Sequence, residues 1–119
     1  MRTLLMAVAL AFAASTAFAE DDMMANYYGN TVVGTGGMAD THTYYSPDHT
    51  FDMKVPDFGL DFKGTWKIDG QNICRTFETP PPGVSNPLCS AIAAHNIGDT
   101  WTVTVDGQSR TTTLVKGIQ

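Results

Sequence analysis

From Thr31 onward, polar and apolar positions alternate in short runs rich in Thr, Val, Tyr, Phe and Trp, and turn residues interrupt them every eight to twelve positions or so. A period of two belongs to strands with one covered face, and this spacing of turns belongs to antiparallel sheet rather than to helices. Seven strands are predicted: Asn30–Thr35, Thr41–Ser46, Thr50–Val55, Leu60–Asp69, Gln71–Thr79, Thr100–Asp106 and Gln108–Lys116. Ser46-Pro47-Asp48-His49, Asp69-Gly70 and Asp106-Gly107 supply the turns, the glycines accepting the positive φ that a two-residue hairpin requires.

Within these runs Leu60, Phe62, Trp66 and Ile68 share one face, with Gly64 as the small residue between them, while Trp101, Val103 and Val105 form a second inward face. Thr79–Leu88 contains Pro80, Pro81, Pro82 and Pro87, which lack the donor a central ladder needs, so it is predicted to be an irregular loop. Residues 90–97 are rich in alanine and suit either a short helix or an eighth strand, ended by Gly98-Asp99. Residues 20–28 are acidic and aperiodic, which predicts a flexible lead-in with at most one helical turn. There is no internal repeat and no linker that would separate domains. A meander of hairpins must close or stack to hide its edges. The predicted class is all-β, a small antiparallel meander barrel of seven or eight strands, with a two-sheet β-sandwich as the alternative.

The N-terminus departs from this pattern. Arg2 precedes an apolar stretch from Leu4 through Ala14, and Ala17-Phe18-Ala19 offers small residues at the two positions a signal peptidase reads. Residues 1–19 are predicted to be a cleavable signal peptide, and residues 20–119 a single domain. The apolar run falls short of the ~20 residues of a bilayer span, Glu20-Asp21-Asp22 comes at once after it, and no cysteine stands near the cleavage point to carry lipid. No membrane anchor is expected. Loss of Arg2 leaves 6 Lys and Arg against 12 Asp and Glu, a net charge of −6. Such a surface disfavours nucleic acid and anionic lipid, and suits solubility and neutral or cationic partners. Two cysteines in an exported chain have one intramolecular pairing, Cys74 with Cys89, closing a loop for which chain entropy gives on the order of 3 kcal/mol. Their spacing is unlike Cys-x-x-Cys, so the bond is predicted to be structural and the location periplasmic or secreted.

At Gly64-Thr65-Trp66, Cys74, the Pro80-to-Pro87 loop, Cys89 and Gly98-Asp99-Thr100-Trp101, the chain resembles small exported proteins of proteobacteria that carry no established activity. The likeness spans most of the domain and implies a compartment and a two-cysteine framework. Gly64-Thr65-Trp66 is also similar to the Gly-x-Trp of lipocalins, where the motif lies on the first barrel strand, whereas here three predicted strands precede it.

Candidate chemistry is sparse. His42, His49 and His95, with Met23, Met24, Met38 and Met53, are ligand types that copper-like ions prefer, but their spacing forms no metal motif, so no metal or cofactor is expected. Ser85 and Ser90 lack a nucleophile elbow. Asp99 stands four residues from His95 and could orient it as a base, or could bond local amides as turn aspartates do. No catalytic residue is assigned. Aromatic residues are numerous, and in a barrel whose interior is not filled some would line its mouth. Tyr44, Phe62, Trp66 and Trp101 are therefore the candidate ligand-binding residues. The leading expectation is an exported, non-enzymatic binding module resembling a small lipocalin-like barrel, taking a small apolar ligand or a protein partner at its open end or proline loop. The alternatives are an inhibitor of a cationic secreted enzyme and a small enzyme using His95 and Asp99.

Overall fold

Antiparallel pairing of successive runs organises the domain. The computed structural model describes residues 15–119, with side chains from Glu20 onward, so the expected signal peptide over residues 1–19 falls largely outside the described residues. The strands are β1 Thr31–Thr35, β2 Thr41–Tyr45, β3 Thr50–Val55, β4 Leu60–Asp69, β5 Asn72–Phe77, β6 Leu88–Ala91, β7 Thr100–Val105 and β8 Gln108–Val115. They form one sheet in the order β6-β5-β4-β3-β2-β1-β8-β7, so the pairing of β1 with β8 brings the chain's last hairpin back to its first strand. Only β6 and β7 share no ladder, and they lie side by side across an unbonded seam. The result is a nearly closed eight-stranded barrel, not a two-sheet sandwich. β3 and β4 keep the bounds the alternation predicts; the eighth strand, Leu88–Ala91, starts at the end of the predicted proline loop and takes in only Ser90 and Ala91 of the Ala-rich segment, whose remaining residues 92–97 form neither helix nor strand.

Parity decides what enters the barrel. On β4, Phe62, Gly64, Trp66 and Ile68 turn inward as expected, while Leu60 lies at the strand's start and stays 48% exposed. Gly64 is required by close approach, because a Cβ there would collide with the Thr76 carbonyl oxygen of β5. Trp101, Val103 and Val105 of β7 alternate with exposed threonines, which gives the predicted second inward face.

The acidic lead-in is not a loose segment. Helix α1, Ser15–Met24, delivers Met24 and Tyr27 to full burial. The Tyr27 hydroxyl donates to the Ala93 carbonyl at 2.8 Å, and Asn26 Nδ2 donates to the His95 carbonyl at 2.9 Å. Tyr27 also meets Tyr45 edge to face at 6.0 Å. Met24 and Tyr27 are the two fully buried side chains of this segment, too few to set up a period that would betray the docking. At the barrel's other end the proline loop is held across the seam, where the Ser85 amide and hydroxyl donate to the Asp106 carboxylate at 3.1 and 2.7 Å.

Cys74 and Cys89 are directly opposed on β5 and β6 and are bonded. Their neighbours Ile73, Arg75, Leu88 and Ser90 face inward, so the bond sits on the outer face and ties the shortest edge strand to the sheet. A structural disulfide points to an oxidising compartment outside the cytoplasm.

Candidate functional site

Eight strands enclose an interior just wide enough to be filled by side chains or to hold one small ligand. Here it is not filled. A cavity of about 350 Å³ runs along the inner face, near the lower end of the roughly 300–1,000 Å³ typical of small-molecule sites. Its walls are apolar where Val32, Met53, Ile73, Phe77, Leu88, Trp101 and Val103 face inward, and are dotted with the hydroxyls of Thr41, Thr43 and Thr112. Strands run alternately up and down, so the β1–β2, β5–β6 and β7–β8 connections share one end, and Met38, Val84 and Asp106 from those connections line the cavity's mouth. Met38 is fully exposed there. The opposite end is closed by α1 and Tyr27.

Of the four aromatic residues expected to bind a ligand, Trp101 lines the cavity and the other three do not. Tyr44 sits on the outer parity of β2, opposite Asp52, and its hydroxyl donates to the Gln119 carbonyl at 2.6 Å. Its neighbour Tyr45, opposite Phe51, is the inward residue. Phe62 turns inward but packs edge-on to Phe77. Trp66 is buried, its Nε1 donating to the Ser46 and Thr50 carbonyls at 3.2 and 3.1 Å and its ring stacked on His49 at 4.0 Å. These rings belong to the packed half of the barrel.

Two residues that the aromatic pattern did not single out dominate the cavity's electrostatics. Both arginines of the described residues, Arg75 on β5 and Arg110 on β8, line it, whereas the four lysines are all exposed on the outside. Arg75 is 9% exposed; its Nη2 donates to Ser90 Oγ at 3.3 Å and its Nε has no partner. Arg110 Nη2 donates to the Ala39 carbonyl at 3.1 Å, and its guanidinium lies so close to Gly37 that a Cβ there would come within 2.7 Å of Cζ. Neither forms an ion pair among the described residues. Hydrogen bonds from the Ser85 hydroxyl and amide hold the Asp106 carboxyl below its ordinary value, and attraction to Arg75 adds to this. A buried charge without an opposite partner carries a desolvation cost of several kcal/mol that an apolar side chain of like volume would not. The signal for Arg75 was present in the sequence, since it shares the parity of Ile73 and Phe77 on an otherwise apolar face.

His95 and Asp99 do meet, Nδ1 to Oδ2 at 3.4 Å, but neither lines the cavity. Asp99 also accepts from the Asn96 amide at 2.9 Å, and the His95 ring is stacked on Trp101 at 3.5 Å. The pair therefore meets the cavity's lining only through Trp101. No group of three metal-ligating side chains gathers among the described residues. Comparison of the chain with protein-family models, with curated proteins and with solved structures gives no match.

Proposed function

We propose that this chain is an exported binding module that holds a small, largely apolar molecule inside its barrel. The observation that carries the reading is the cavity of about 350 Å³ in so small a domain. Cores of this size are ordinarily packed to crystal-like density, and an unfilled interior forfeits contacts that would stabilise the fold. A retained void with apolar walls and a few convergent polar groups is the usual form of a ligand site. The disulfide and the apolar N-terminal stretch support delivery to the periplasm or the exterior, where the outer-face bond would keep β6 in place. His95 and Asp99 enter this reading as supports of Trp101 rather than as a catalytic pair.

A neutral apolar dye tests it. Phenylnaphthylamine should bind one to one with enhanced emission, and Val103→Phe, which fills the cavity from β7, should weaken binding by about tenfold or more while the fold is kept. Equal dye affinity in wild type and variant, or no binding at all, would remove the cavity as the site.

A further inference from the structure

The cavity is apolar over most of its wall, yet the domain's two inward cations are both on it. Arg75 offers five N–H donors in a planar fork, and the protein satisfies one of them, through a 3.3 Å bond to Ser90. Its Nε is buried without a partner, and no carboxylate of the described residues pairs with it. Nearby Asp106 is committed to Ser85. Arg110, half-buried at the wall formed by β8, donates to the Ala39 carbonyl and pairs with no carboxylate of the described residues. Around the barrel these residues stand on β5 and β8, flanking the β6–β7 seam on either side. The acidic exterior creates no long-range field that gathers anions, so any preference for one must come from these guanidiniums at short range, within low-dielectric walls.

From this we infer that the ligand is a small amphiphile whose single oxyanion head pairs with the Arg75 guanidinium while its apolar body lies against Ile73, Leu88, Trp101 and Val103. The inference rests on the binding-module reading and adds the ligand's charge class. Arginine's fork suits both carboxylate and phosphate, and both use two oxygens against two N–H groups. A cavity of about 350 Å³ admits a compact body and not a long diacyl lipid.

Calorimetric titration of the purified protein with four decyl compounds tests the assignment: decanoate, decyl phosphate, decanol and decyltrimethylammonium. Decanoate or decyl phosphate should bind about tenfold or more tighter than decanol, the stronger of the two identifying the head, and the cation should give no heat of binding. In Arg75→Met the anion should bind no more tightly than decanol binds to the same variant. If that variant fails to fold, the Nε–H resonance of Arg75 in the wild-type protein gives the same answer, since it should shift on saturation with the tighter anion. Anions binding no better than decanol, a preference that survives Arg75→Met, or an unmoved Nε–H resonance would each overturn the inference. Dye binding without anion preference removes the head-group assignment alone, whereas failure of the dye and of every decyl compound removes the cavity reading with it.

Discussion

Gly64 shows how much one residue decides. It lies on the inward parity between Phe62 and Trp66, and β5 crosses so close that only hydrogen fits between Gly64 and the Thr76 carbonyl, with the Phe51 ring also against it. Gly64→Ala should cost about 3 kcal/mol, because the backbone of β5 must move, and should lower the thermal midpoint on the order of 10 °C or more. A midpoint unchanged in a calorimetric scan would show that β4 and β5 separate freely there. The same scale explains why the aromatic candidates divided as they did. Tyr44 and Tyr45 are chemically alike and come directly after Thr41-His42-Thr43, where no apolar alternation marks the inner face, so residue type could not tell which tyrosine enters the barrel. Register does tell, since Tyr45 opposes Phe51 and Tyr44 opposes Asp52. Trp66 and Phe62 were legible as inward, but whether an inward ring packs or lines a void depends on what meets it from across the barrel. For Trp66 that is Tyr28, Tyr45 and His49, from segments far apart in sequence.

Among the elements, the long strands were legible from alternation and turn chemistry, and the exceptions have physical causes. β6 has four residues, directly after Pro87, and contains Cys, Ser and Ala, so no period could establish itself; the opposed cysteines and the ladder to β5 make it a strand. α1 carries no amphipathic stripe and is anchored by Tyr27, just beyond its C-terminal end, whose hydroxyl is bonded under the β6–β7 loop. The clasp between the proline loop and the β7–β8 turn responds to pH. The Asp106 carboxyl lies below the ordinary aspartate value of 3.8, through its bonds from Ser85 and its attraction to Arg75. Its contribution is therefore whole above that value and fades as pH falls through the lower folded one, when protonation makes the Asp106 carboxyl a weaker acceptor for the Ser85 amide and hydroxyl. Hydrogen exchange at the Ser85 amide should accelerate, relative to a matched unfolded peptide, below about pH 4 and should be fast at neutral pH in Asp106→Asn. Exchange in Asp106→Asn as slow as in the wild type at neutral pH would show that the loop is held by something other than this carboxylate.

For the whole molecule, the decisive property is that a nearly closed meander leaves space at its centre. The sequence announces the barrel through its chain of hairpins, but not the void, because a volume is the difference between what eight inward faces supply and what the closed sheet encloses. The two inward arginines give that volume a polarity, and they were hidden for a related reason: a cation on an apolar parity is informative only once the strand's inner face is fixed. The seam between β6 and β7 has no ladder and is clasped at the mouth end by the bonds from Ser85 to Asp106.

The most direct measurement is an isotope-filtered Overhauser spectrum of the labelled protein saturated with phenylnaphthylamine. Cross-peaks from the dye to the methyls of Ile73, Leu88 and Val103 and to the Trp101 indole are the predicted result. Contacts confined to outward residues such as Tyr44, with the interior methyls silent, would contradict it.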